Sequence, residues 1–150
     1  MKTFILNLML VFFVSDCRPA DSPAVMDKPT LHVTGSDSVN INFTPRINEL
    51  KRSLSDDFIV KEHSYFVIAS NLSETETEKI LNSTIDKAVE CFYNDYFSTR
   101  PDEATTIFLF KDDKTYRYWA KTLYDDDDLS KYGYYKPSEK TMLMNINTGT

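Results

Sequence analysis

Few side chains in this sequence could bind a metal, attack a carbonyl or move a proton. There are two histidines, His32 and His63, 31 residues apart, and two cysteines, Cys17 and Cys91. A tetrahedral zinc site needs three or four strong ligands, and a zinc-binding helix supplies two of them from histidines four residues apart, so that both imidazoles leave one face. No such pair is present, and no C-x-x-C replaces it. His63 stands in the polar stretch Lys61-Glu62-His63-Ser64 and reads as a surface histidine. Cys91 falls inside an apolar helical pattern and reads as a buried, inert thiol, because neither histidine stands in a matching nucleophile signature. The run Asp125–Asp128 offers carboxylates, which favour hard ions, but it lacks the alternating spacing of a calcium loop and reads as solvated. No residue is therefore assigned a catalytic or metal-binding role, and no cofactor is expected in this chain.

The stretch around which the chain is organised is instead the last, Tyr132 to Thr150, YGYYKPSEKTMLMNINTGT. A Gly-centred aromatic turn (Tyr132, Gly133, Tyr134, Tyr135) and a Pro-Ser turn lead into a strand over Thr141–Ile146. Met142, Met144 and Ile146 alternate with Leu143, Asn145 and Asn147, the period of two that a strand imposes. One apolar face and one mixed face predict a strand that covers a core with one side and meets solvent or a ligand with the other, as an edge strand does. Asn147-Thr148-Gly149-Thr150 then has the chemistry of a turn into a further element, so the domain is expected to be incomplete at its C-terminus.

Other elements must position that strand. Thr44-Pro45, followed by Ile47, Leu50 and Leu54, predicts a short amphipathic helix. Phe58-Ile59-Val60 and Tyr65 through Ala69 are dense in β-branched and aromatic residues, and form either a hairpin or one long interrupted strand. Ser73-Glu74-Thr75-Glu76 is a capping box, and behind it Leu81, Ile85, Ala88, Val89, Phe92 and Tyr96 form one apolar stripe of a long helix ended by Arg100-Pro101. TTIFLF, Thr105–Phe110, predicts a buried strand. Asp112 or Asp113 then caps a helix with Tyr116, Trp119, Ala120, Leu123 and Tyr124 on one face, stopping near Tyr124 because the following acids oppose its dipole. Trp119 and Phe92 are placed on the inner stripes. The order strand, helix, strand, helix, strand predicts an α+β fold: a mixed sheet of about three to four strands with two main helices.

Length and charge limit the rest. The 150 residues fit one domain, 41% hydrophobic and 13% aromatic, enough to build a core. A net charge of −6 without any basic run disfavours nucleic acid and anionic membrane surfaces as partners. Residues 1–17 read as an export signal: Lys2, then an apolar run from Phe4 to Val14 too short to span a bilayer as a helix. Val14, Ser15 and Cys17 resemble the lipobox of bacterial lipoproteins, with Asp16 where that family carries a small residue. The resemblance implies lipidation at Cys17, and the alternative is plain secretion with cleavage nearby. Residues 18–43, rich in Pro, Asp, Ser and Asn, read as a flexible tether, and residues 44–150 as the α/β domain. The protein is expected in the cell envelope or secreted, touching a membrane only through the signal or lipid. Asn42, Asn71 and Asn82 each begin an N-x-[ST] sequon.

Taken together, SYFVIAS, a capped helix, TTIFLF, a helix around TYRYW, the Gly133-Tyr134-Tyr135 turn and the strand MLMNINTG resemble the N-terminal half of gluzincin-type, peptidase MA-like zinc metallopeptidase domains. In that family the next element is a helix bearing H-E-x-x-H, which supplies two zinc ligands and the general base. None of those residues is found here, so the chain as given is expected to be inactive. Zinc enters only if such a helix completes the domain. The resemblance carries over the strand before that helix, Met142, Leu143, Met144 and Asn145, as the sheet edge on which a substrate peptide would pair. The alternative function is a non-catalytic exported binding or structural module that uses Tyr132, Tyr134 and Tyr135 for a protein or glycan contact.

Overall fold

The computed structural model describes residues 41–95 and 102–148. The signal segment, Cys17, His32, Tyr96, Arg100-Pro101 and nearly all of the tether lie outside them. Helix α1 spans Thr44–Ser53, with Pro45 in its first turn, and Phe43 rather than Thr44 occupies its N-cap position. The Asn42 side chain accepts from the Thr44 N–H at 3.1 Å. Phe43 packs on the core, so the folded body begins slightly before the expected boundary at 44.

The ambiguity between 58 and 69 resolves as a hairpin. Strands β1 (Ile59–His63) and β2 (Phe66–Ser70) pair antiparallel across the turn at Ser64-Tyr65, with Ser64 at φ 55°. Helix α2 (Glu74–Ile80) starts on the capping box read from sequence, with Ser73 and Glu76 satisfying each other's backbone N–H groups. It continues through a π-helical turn, Leu81–Ile85, into α3 (Asp86–Asp95). That widened turn is absent from a straight 3.6-residue reading of the stripe, yet Leu81 and Ile85 still reach the core. Strand β3 (Thr105–Phe110) follows, then α4 (Asp113–Tyr124), capped by the Asp112 side chain accepting from the Thr115 N–H at 2.7 Å. Helix α4 ends at Tyr124 as expected, with Asp125 in the left-handed conformation.

Strands β4 (Gly133–Lys136) and β5 (Thr141–Asn145) complete a five-stranded mixed sheet in the order β1-β2-β3-β5-β4. The central β2, β3 and β5 are parallel, and the outer β1 and β4 are antiparallel to their neighbours. The fold is therefore α+β with a mixed sheet, as the sequence predicts. The extra strand is β4, where the sequence suggested only an aromatic turn: four residues around a glycine are too short a run to show a strand's period.

Both faces of the sheet are covered. On the first, Val67, Ala69, Phe108, Phe110 and Leu143 meet Leu50 of α1, Leu54 at its C-cap, and Tyr116 and Ala120 of α4. Phe108 and Phe110 stack with ring centres 5.6 Å apart, and Phe58 sits edge-on to Trp119 at 5.3 Å. Trp119 is half-buried and packs on this core without being enclosed by it. On the second face, Ile68, Ile107 and Leu109 meet Leu81 and Ile85, with Met142, Met144 and Ile146 half-buried at its margin. Cys91 is half-buried, less enclosed than its apolar setting predicts.

Phe110 is wholly inaccessible, so Phe110→Ala is expected to cost about 3–5 kcal/mol as lost transfer energy plus a cavity, whereas half-buried Trp119→Ala costs less. Urea unfolding of the two variants checks the ranking, and the reverse order would show that Trp119 is the better-packed ring.

Candidate functional site

The expected substrate edge is not at an edge. Strand β5 lies between β3 and β4 and is paired on both sides, Ile107↔Met142 and Leu109↔Met144 in one direction, Tyr135↔Met142 and Gly133↔Met144 in the other. Met142, Leu143, Met144 and Asn145 therefore have no main-chain edge to offer. Their two faces are also the reverse of the reading from pattern: Leu143 and Asn145 are buried, and the methionines are half-buried. A period of two identifies a strand but says nothing of its neighbours. Among the described residues the sheet edge on this side is β4.

Strand β4 owes its course to Gly133. At φ +136° a Cβ on this residue would lie 2.2 Å from the Leu143 carbonyl oxygen, so only glycine lets the chain run this close to β5. The Asn145 N–H donates to the Tyr132 carbonyl at 3.0 Å, which makes 132 and 145 a hydrogen-bonded pair. Bonded pairs alternate along an antiparallel ladder, so Tyr134 and Lys136 also turn their backbone groups toward β5. Gly133 and Tyr135 turn theirs outward, to a side on which no strand pairs among the described residues.

The acidic run holds this edge from the first face. The Tyr134 hydroxyl donates to Asp126 at 2.6 Å, and the Lys136 ammonium reaches the same carboxylate at 3.0 Å and lies 5.3 Å over the Tyr124 ring. Further along, the buried Tyr116 hydroxyl donates to the Ser130 carbonyl at 3.0 Å, and the Asn145 side-chain amide donates to the Lys131 carbonyl at 2.9 Å. Asp125, Asp127 and Asp128 are solvated as expected, but Asp126 is half-buried and structural. The Tyr134 hydroxyl and then Lys136 hold its carboxyl below the ordinary value of 3.8. Burial, and then the Asp126 bond, push the Tyr134 hydroxyl up, and burial raises Tyr116 to about 12. Of the three tyrosines singled out from sequence, Tyr132 and Tyr135 are 65% and 47% exposed, while Tyr134 faces inward.

Elsewhere, His63 is half-buried and paired with Asp86 at 2.7 Å, tying β1 to the start of α3. Among the described residues no three His, Cys, Asp or Glu side chains converge, so the donors present do not fit a zinc ion. A shallow hollow of about 400 Å³ beside the starts of β3 and β5 is lined by Arg46, Glu103, Thr106, Glu139 and Lys140. Its cations are committed, Arg46 to Thr106 and Glu49, Lys140 to Glu103. The Asn71 sequon is not available, because that side chain is buried and accepts from the Lys111 N–H at 2.8 Å. No helix among the described residues is long and apolar enough to cross a membrane.

The chain matches no family model, no curated protein and no solved structure.

Because the folded carboxyl of Asp126 is lowered, its contribution to stability is fully present above 3.8 and is lost as the pH falls through the lower folded value. Asp126→Ala is expected to cost about 1–2 kcal/mol near neutral pH, the net worth of hydrogen bonds to a partly screened charge. Thermal melts from roughly pH 2 to pH 7 check this, the difference between variant and parent shrinking toward the acid end. A difference independent of pH would show that the carboxylate charge is not what holds β4.

Proposed function

We propose that this chain is the peptide-holding half of a zinc metallopeptidase-like domain, exported from the cell, with no chemistry of its own in these residues. The observation that carries the reading is the outer side of β4, where Gly133 and Tyr135 present main-chain groups that pair with no strand among the described residues. An extended polypeptide laid along such an edge forms main-chain hydrogen bonds whatever its sequence, which suits a substrate site. The role that the resemblance gave to residues 142–145 passes to this neighbouring strand. The order of strands and helices from Phe58 onward supports the metallopeptidase-like reading. A zinc ion serving such a domain would not draw on His63, which Asp86 engages at the opposite edge of the sheet, on β1.

The second reading, a non-catalytic binding module, is favoured by the exposure of Tyr132 and Tyr135 beside the same edge. Aromatic rings with polar tips are common anchors of protein contacts. Both readings use β4, and they differ in whether chemistry is added to it.

Titrating the isotope-labelled chain with a short extended peptide separates these from no binding at all. Shifts concentrated at the amides of Gly133 and Tyr135 are expected, and mass spectrometry is expected to recover the peptide intact with and without added zinc. Shifts confined to other strands would remove β4 from the proposal, and zinc-dependent cleavage would overturn the absence of chemistry.

Export and lipid attachment through residues 1–17 belong to the same proposal, supported by Lys2, the apolar run and Cys17. Cys17→Ser is expected to shift the protein from the detergent phase to the aqueous phase on phase partitioning. An unchanged partition would assign the segment to simple secretion, and signal-bearing protein found in the cytosol would overturn export.

A further inference from the structure

We infer that β4 is also a self-association edge, through which two copies of this chain pair antiparallel about a two-fold axis and join their sheets into one. This rests on the reading of β4 as a free edge, and it regulates that edge, because a second copy and a peptide compete for the same main-chain groups.

The sequence of the edge is self-complementary. With the axis passing beside Tyr134, Gly133 faces Tyr135 of the second copy and Tyr135 faces its Gly133, the isologous arrangement that a two-fold interface requires. These are the residues whose N–H and C=O groups point outward, so both facing pairs can exchange hydrogen bonds. Both positions also belong to the second face of the sheet, since Gly133 and Tyr135 stand opposite Met144 and Met142. Gly133 leaves main chain bare there, and a cross-strand aromatic ring is the usual cover for a glycine in a sheet. Tyr135 of the second copy, half exposed in the free chain, would lie over the Gly133 position and against Met144. On the first face the same register sets Tyr132 of one copy opposite Lys136 of the other, so no like charges face each other there.

The two ends of the sheet differ in how they are guarded. Strand β1 carries an exposed Glu62, a charge of the kind natural sheets use to discourage edge pairing, while its Lys61 and His63 are paired with Glu78 and Asp86. The outward-bonding residues of β4 are a glycine and a tyrosine. Its one charge, Lys136, turns its backbone to β5 and its side chain to Asp126. An edge that pairs with no strand among the described residues and carries no guard has either a partner or an aggregation hazard. A net charge of −6 on each copy opposes association at low salt, so screening should strengthen the dimer.

Sedimentation velocity over a roughly hundredfold range of concentration tests the inference by mass action. A monomer at the low end, a discrete dimer at the high end, and more dimer with added salt are expected. Tyr135→Ala should weaken association about tenfold or more, as expected for loss of a buried interface aromatic. Tyr135→Pro should abolish it: the lost N–H points away from β5, and proline is tolerated on the outer side of an edge strand. Circular dichroism and thermal melts confirm that each variant is folded before it is compared, and the alanine variant carries the test if the proline variant is not. A monomer at every concentration, or a dimer that neither folded variant weakens, overturns the inference. Peptide titration of the parent chain keeps the two readings apart. Edge shifts in a chain that never dimerises sink the self-pairing alone, and a Tyr135-dependent dimer that takes up no peptide sinks only the peptide-holding function.

Discussion

Because Phe108 and Phe110 point to one face of β3 and Ile107 and Leu109 to the other, all of them buried, the sheet must be covered on both sides. That requirement organises the rest of the fold. Parallel strands on either side of β3 need crossovers, and the helices in those connections supply the two covers, α2 with its π-helical continuation on one face and α4 on the other. Helix α1 adds Leu50 to the same side as α4, closing the first core beneath β1 and β2.

The covers are unequal, and this gives β4 its character. On the first face the chain returns from α4 through residues 125–132, and Asp126, Ser130 and Lys131 are each bonded to the sheet or to Tyr116. On the second face Leu81 and Ile85 pack over β2 and β3, and Met142, Met144 and Ile146 remain at the margin. The strand at the edge is thus fixed from one side and accessible from the other. A strand held in place by its neighbours and by one carboxylate, with its outer main-chain groups paired to no strand among the described residues, needs little rearrangement to receive another strand.

Asp126 illustrates how one residue in a run of four identical ones acquires a separate role. Asp125 forms the left-handed cap of α4, and Asp127 and Asp128 remain in solvent, but Asp126 reaches Tyr134 and Lys136 because these stand two apart on one face of β4. The link between the acidic loop and the edge is therefore electrostatic and directional, while the link between the edge and β5 is steric and depends on Gly133 having no side chain.

Local chemistry in the sequence determined what local chemistry can determine. The Ser73–Glu76 capping box, the Asp112 cap, the end of α4 at Tyr124 and the strand character of residues 66–70, 105–110 and 141–145 all follow from side-chain type and spacing within a few residues. The α+β class follows from their order. Tertiary structure alone decided which strand lies outermost, because the pairing of β5 with β3 joins residues far apart in the chain and no period of two records a neighbour. It also decided that Gly133–Lys136 is a strand, since its pairing with β5 depends on a close approach to Leu143 that only a glycine at 133 permits. For the same reason the sequence placed the candidate edge one strand too far inward: an edge is defined by what fails to pair with it, and that is a property of the assembled sheet.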